Sequence, residues 1–468
     1  MKLWRVAGVL ALIGTEALLY GYSYPFFSLA LEKHALPTWL IGLNASVAGA
    51  GILIVGPVLP ALIARFGVRL IVAAMFAISL VSFGAILAAD HLAVWFAARF
   101  VMGACFAALW TTTEIWLNGV VDDRHRGRII GASGTLYATC QFIGPLILGG
   151  VGVEGQLPLI VAMIPLGVGV LVALSIRPAE GEVEDEEESG DAHTLRLALS
   201  AAGGLVGAAF LGGIGETAMQ SLLPLYGLAH GLSDAGAAGL VAVFSLGEAV
   251  LVAGLGWMAD RYGRRITLLA CAVVATLSAV ALPFAVDTPF LLQPALFLAG
   301  GTISGIYTLG VVLIGQDFRG QRLAVVSTGF AMAYSAGSIV GSTPVGYVID
   351  LFGPEALPFS IAGGFALLTL FLLRPEKAAE VAHIEPALDA ASDLDHLPVI
   401  EQGPEAGFDL SFLHQVAPLP AGGPTAAAPP LADIRQWHET NLEDRFRQRA
   451  AEIAERAARR YGAAQRAG

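Results

Sequence analysis

The stretch Gly256-Trp257-Met258-Ala259-Asp260-Arg261-Tyr262-Gly263-Arg264-Arg265 separates two apolar runs, Ala235 to Ala259 and Ile266 to Val286. A membrane helix needs about 20 mostly apolar residues to cross the hydrocarbon core, and both flanking runs are that long. Gly263 supplies the positive-φ geometry of a tight reversal. Arg261, Arg264 and Arg265 hold the loop on the side where Lys and Arg accumulate. Asp260, at a helix end, is placed to bind a neighbouring arginine or an exposed helix N-terminus. The segment therefore reads as a sharp turn between two spanning helices.

Outward from this turn the pattern repeats. Apolar runs lie at Trp4 to Leu31, Trp39 to Ala64, Leu70 to Ala89, Leu92 to Val120, Ile129 to Val153 and Leu157 to Ile176. They resume at Leu197 to Leu228, continue through the two runs around the turn, and end with Phe290 to Ile314, Leu323 to Ile349 and Leu357 to Leu373. The composition agrees: the chain is 56% hydrophobic and 14% charged, with mean hydropathy +0.70, where globular domains carry about 25% charged residues. The formal charge of −12 belongs to soluble segments, because 8 of the 38 acids lie between Glu180 and Asp191 and 15 lie after Leu373. Cys105, Cys140 and Cys271 fall inside separate apolar runs, without metal-ligand spacing or a disulfide framework. Lys2 and Arg5 precede a first run too long for a signal-peptide core, so it is expected to be an uncleaved membrane helix.

Threading these runs alternately across a bilayer places sixteen Lys and Arg residues in loops or ends on one side, and only Lys33 in a loop on the other. This asymmetry predicts that both termini are cytoplasmic. The halves also repeat. Thr15-Glu16-Ala17 with Pro25 matches Gly215-Glu216-Thr217 with Pro224. Arg65-Phe66-Gly67 matches Arg261-Tyr262-Gly263, and Tyr137 and Gly144 match Tyr334 and Gly341, at offsets of 196 to 200 residues. The expected fold is all-α and integral to the membrane: a bundle of twelve transmembrane helices in two pseudo-symmetric six-helix halves, the plan of a transporter that rocks around a central site. The expected organisation is residues 1–176 for the first half, 177–196 for an acidic cytoplasmic linker and 197–374 for the second half. A disordered tail then covers 375–430, and an amphipathic cytoplasmic helix covers 431–462.

The Gly256 to Arg265 stretch resembles motif A of the major facilitator superfamily, the loop that latches the cytoplasmic side in one state of the cycle. Its counterpart Ala64-Arg65-Phe66-Gly67-Val68-Arg69 has lost the acid and one base. Arg99-Phe100-Val101-Met102-Gly103 resembles motif B, whose arginine is implicated in proton coupling. Gly144-Pro145-Leu146-Ile147-Leu148-Gly149-Gly150 resembles motif C of drug/proton antiporters, although its spacing is one residue longer and Cys140 stands where a glycine is expected. Thr113-Glu114-Ile115-Trp116-Leu117-Asn118, followed by Arg126-Gly127-Arg128, resembles the YcaD-like branch. The resemblance spans Trp4 to Leu373 and implies alternating access, with a small-molecule substrate and no cofactor.

Apart from Arg5 at the very start of the first run, five ionisable residues fall inside the apolar runs: Glu16, Arg99, Glu114, Glu216 and Glu248. A charge at mid-membrane is costly, so such groups face a cavity or a partner. Glu16, Glu216 and Glu248 are candidates for proton or substrate binding, since a carboxylate can be neutral when dry and ionised when wet; the alternative is a helix-to-helix hydrogen bond. Arg99 keeps its proton and needs an anion, for which Glu16 is the expected partner. Trp110, Glu114 and Asn118 share one helix face and suit packing or gating. Tyr20 and Tyr24 continue the Glu16 face and Gln220 the Glu216 face, a lining suited to an amphipathic, cationic ligand.

In the tail, Leu431, Ile434, Trp437, Leu442, Phe446, Ile453 and Tyr461 form an approximate apolar stripe, with Arg445, Arg447, Arg449, Arg456, Arg459 and Arg460 interspersed with acids. This helix is expected either to lie on the anionic inner leaflet or to contact a protein. The expected activity is proton-coupled export of a small amphipathic solute across a bacterial-type plasma membrane. Proton symport into the cell, or a receptor or scaffold acting through the tail, are the alternatives. No spaced metal set, nucleophile elbow or phosphate-binding loop points to an enzyme, and nothing points to nucleic acid.

Overall fold

A computed structural model describes residues 3–121, 125–176, 192–318 and 320–373. The tail (375–430 and 431–462) and most of the acidic linker lie outside the described residues. The described residues form twelve helices: α1 Leu3–Lys33, α2 Thr38–Phe66, α3 Val68–Ala88, α4 Leu92–Val120, α5 Arg126–Val151, α6 Leu157–Ser175, α7 Ala192–Ala229, α8 Asp234–Tyr262, α9 Arg264–Ala285, α10 Pro289–Asp317, α11 Gly320–Phe352 and α12 Ala356–Leu372. Among the described residues, ten of these are long and apolar enough to cross a membrane, and α12 is a shorter apolar helix. The α2–α3 and α8–α9 turns mark one end of the bundle, here called the basic face, and the α1–α2 turn beside Lys33 marks the other.

One boundary differs from the sequence reading. Helix α7 begins at Ala192, inside the stretch expected to be linker, and its backbone leaves helical geometry at Ala202 (φ −145°, ψ 42°). Arg196 ended the apolar run, but Ala, Leu and Arg all favour helix, so the helix continues past the last apolar residue. The break falls beside Gly203 and Gly204, the weakest helix formers in the segment.

The two halves share one packing pattern. In the first, α1 lies against α5 and α2 against α4, while α3 contacts α4 and α6; in the second, α7 lies against α11 and α8 against α10, while α9 contacts α10 and α12. Small residues at equivalent positions allow the close crossings. A Cβ at Gly103 on α4 would collide with the Ala48 carbonyl on α2, and one at Gly300 on α10 with the Phe244 carbonyl on α8. Such backbone-to-backbone approaches are the packing available where lipid supplies no hydrophobic drive. The halves meet where α2 packs on α11 and α5 on α8. Both motif-A-type turns reverse at a left-handed glycine, Gly67 (φ 76°) and Gly263 (φ 91°).

Candidate functional site

The repeat seen in the sequence places two glutamate–tyrosine pairs around the centre of the bundle. The Tyr334 hydroxyl of α11 donates to Glu216 Oε2 on α7. At the equivalent place, Tyr137 of α5 is the neighbour of Glu16 on α1. Glu16 is buried and its Oε2 has no partner. On α7, one turn from Glu216, Gln220 Nε2 donates to Glu216 Oε1 at 3.4 Å and also lies beside Glu248. Tyr137 stands within Coulomb range of Glu16, Glu216 and Glu248 together, so the three acids cluster around one tyrosine.

Glu248 joins the halves. Its Oε2 accepts from Gln141 Nε2 of α5 at 2.7 Å and its Oε1 from Ser304 Oγ of α10 at 2.7 Å. Among the described residues, every hydrogen-bond donor to these carboxyls is neutral, an amide or a hydroxyl. Taking an ionised carboxylate out of water without a cation is costly, so the cavity favours a proton or a cationic group.

Arg99 does not supply that cation. Its guanidinium lies over the rings of Tyr24 and Phe27, 4.3 and 4.7 Å from their centroids, and donates to Ser23 Oγ at 3.1 Å. The expected pairing with Glu16 is therefore wrong. Arg99 sits at the level of Tyr24, eight residues or about 12 Å further along α1, and matching by depth in sequence was too coarse to reveal this. Tyr24 follows Arg99 and is buried, whereas Tyr20 stacks on it at 4.9 Å and lies within range of Glu216 and Tyr334.

Trp110 meets Tyr137 edge-on at 4.6 Å, and Glu114, one turn nearer the basic face, is exposed. Asn118 Nδ2 donates to the Glu114 carbonyl at 3.0 Å. Tyr307 of α10 is close to both Glu114 and Glu216. This row runs from the acids toward the basic face.

The opposite side is closed by contacts between the halves. Lys33 Nζ reaches Asp234 Oδ2 at 3.1 Å and Glu154 Oε1 at 3.6 Å. Asp350 of α11 accepts the Thr38 and Trp39 backbone N–H groups at 2.9 and 2.8 Å, capping α2, whose own preceding residue is a proline. Ser46 and Thr343 hydroxyls share a hydrogen bond of 2.8 Å. On the basic face Asp260 pairs with Arg264 at 3.4 Å and Arg264 donates to the Val312 carbonyl at 3.3 Å, both within the second half. Arg265 reaches the Leu372 carbonyl at 3.5 Å, and Arg69 donates to the Leu174 carbonyl. Arg65 and Arg261 lie over Phe66 and Tyr262, and Gly256 has open space around it.

The motif-C-like segment sits at helix crossings. A Cβ at Gly144 would press on Leu18 and Tyr22 of α1, and Gly149 faces Ala235 of α8 across the halves, while Gly150 is open. Pro145 lies inside α5. Sequence reasoning did not assign roles to Gln141, Ser304 or Tyr307. Gln141 and Ser304 are uncharged residues in apolar helices, and the only available signal was a polar side chain on the face of an interface helix. Tyr137 and Tyr334 were found as a repeated pair but not as partners of the acids.

Sequence and structure comparisons agree with this architecture. The Major Facilitator Superfamily model matches residues 7–244 and 205–408. The chain is 26% identical over 361 residues to "Uncharacterized MFS-type transporter YcaD" of Escherichia fergusonii, covering 76% of this chain and 92% of the relative. It is 24% identical over 345 residues to "Uncharacterized MFS-type transporter YfkF" of Bacillus subtilis, covering 73% and 88%. Among solved structures, the nucleoside transporter NupG matches with TM-score 0.70 at 12% identity, over 80% of this chain and 98% of that one. A D-xylose-proton symporter matches with TM-score 0.62 at 15% identity, over 80% and 99%. With a family model covering both halves and relatives aligned over nearly their whole length, this multi-pass membrane protein belongs to the major facilitator superfamily of transporters.

Proposed function

We propose that the protein is a proton-coupled antiporter that exports a small, amphipathic, cationic solute. The observation that carries this reading is the cavity itself: Glu16, Glu216 and Glu248 meet there with only neutral donors around their carboxyls. A proton and a cationic cargo group then compete for the same acids. In the state open to the basic face, cargo binding releases the proton to that side. After the halves rock, a proton from the other side displaces the cargo and accompanies the carrier back. Tyr20, Tyr137 and Tyr334 supply ring faces for the apolar body of the cargo. The lysine and arginine asymmetry supports placing the basic face in the cytoplasm of a bacterial-type plasma membrane. Motif-A Asp260 and Arg264, still paired within one half, are suited to latching the basic face when it closes.

The test is dye-monitored proton movement in energised inside-out vesicles, with a panel of cationic, neutral and anionic compounds. Compound-dependent collapse of the gradient in wild type, and none in Glu216→Gln, is expected. Uptake driven by an inward proton gradient, also lost in Glu216→Gln, would replace export with symport. A phenotype that disappears when the chain is cut after Lys377, while flux persists, would point instead to a role for the tail as a scaffold.

A further inference from the structure

Arg99 is a buried guanidinium that no carboxylate pairs with among the described residues. Its Nε has no partner, and its one hydrogen bond goes to Ser23 Oγ, whose own hydrogen is given to the Tyr20 carbonyl. The rings of Tyr24 and Phe27 attract the cation but do not neutralise it, and an arginine cannot escape by losing its proton. A second buried polar group is left unsatisfied close by. Asn44 of α2 is 1% exposed, and neither its Oδ1 nor its Nδ2 has a partner. Buried amides are rarely left this way.

The helix register brings these two residues to one level. Helices α2 and α4 both start at the Lys33 end and run side by side. Ala48 abuts Gly103, and Gly51 abuts Phe100 and Ala104. Asn44 is one turn before Ala48 and Arg99 one turn before Gly103, so they lie on the facing sides of the two helices. A charged donor held by the Ser23 hydroxyl and an amide donor thus share one level between α2 and α4, each with an unfilled valence and together with one uncompensated positive charge.

We propose that Arg99, Asn44 and Ser23 form a subsite for a small monovalent anion, either a free halide or a carboxylate carried by the cargo. One negative charge matches one guanidinium. The Asn44 amide and the free Nε–H supply the remaining hydrogen bonds that a dehydrated anion requires. At the Lys33 end of the same helices lies a cavity of about 480 Å³ lined by Phe26, Lys33, His34, Asp90, Trp95 and Glu154 among others. Phe27 packs on two residues of that lining, Phe26 at 5.5 Å and Trp95 at 5.6 Å, and its ring also lies 4.7 Å from the Arg99 guanidinium. The subsite is separate from the proton-exchanging acids and does not depend on the direction of transport.

The experiment is thermal unfolding of the purified full chain, followed by tryptophan fluorescence. Sodium gluconate is exchanged at constant ionic strength for sodium chloride, sodium bromide or sodium acetate. A saturable rise in Tm of about 2–4 °C is expected at a tenfold excess over half-saturation. The rise should vanish in Arg99→Gln, and in Asn44→Leu half-saturation should need at least about tenfold more anion. A response to halides but not acetate identifies a free inorganic ion, and a response to acetate identifies a cargo carboxylate. The same Tm in all four salts means that water alone fills the site and overturns the proposal. A response that survives unchanged in Asn44→Leu overturns it as well, so the test holds even if Arg99→Gln fails to fold.

Discussion

Replacing Gln141 with leucine removes the one side-chain hydrogen bond that Glu248 receives from the other half of the protein. The bond is 2.7 Å long and lies where α5 meets α8, on the side of the cavity facing Lys33. Ser304, which serves the other carboxyl oxygen at 2.7 Å, belongs to the same half as Glu248. Losing Gln141 therefore weakens the state closed toward Lys33, while losing Ser304 does not touch the contact between halves. A hydrogen bond between neutral groups contributes about 0.5–1.5 kcal/mol and one to an ionised group about 1.5–3 kcal/mol. The closed-to-open ratio should thus fall about 2- to 13-fold if Glu248 holds its proton, and about 13- to 160-fold if it is ionised. Spin labels on cysteines introduced at Ala93 and Phe290, both exposed near the Lys33 end, would report the separation of the halves there. The three native cysteines would be replaced first. A larger long-distance population in Gln141→Leu, absent from Ser304→Ala, is expected. Unchanged distances in Gln141→Leu, or equal shifts in both variants, would refute the view that this bond holds the halves together.

Tyr334→Phe removes the hydroxyl that donates to Glu216, and cargo-dependent proton exchange should drop about tenfold; unchanged initial rates in vesicles would show that the pair is only structural. Lys33→Met breaks the contacts to Asp234 and Glu154, but with Lys33 44% exposed the pair contributes only about 0.2–1 kcal/mol. The label distances should therefore shift less than about fivefold in population, and less still at high salt. Gly103→Ala drives a methyl group into the Ala48 carbonyl and should cost about 1–3 kcal/mol. Gly150→Ala, with open space around it, should be neutral or stabilise by up to about 1 kcal/mol. The order of the two Tm values in detergent checks this contrast.

The sequence by itself determined the twelve apolar helices, the side that carries the arginines and the internal repeat. Each follows from chemistry that acts along the chain: about 20 residues must cover the hydrocarbon core, and charges stay in loops. It also singled out Glu16, Glu216 and Glu248, because an ionisable group inside an apolar run is conspicuous whatever it touches. The partners of those acids were a different matter. Gln141, Ser304 and Tyr307 look like ordinary residues of membrane helices, and only the crossing of α5 on α8 and of α8 on α10 gives the first two a carboxylate. Arg99 shows the same limit from the other side. Its depth suited Glu16, but the rotation of α4 about its own axis turns the guanidinium toward Ser23, Tyr24 and Phe27. Hydropathy and spacing fix how deep a side chain lies in the membrane; the helix rotations and close approaches of tertiary packing decide which neighbour it meets there.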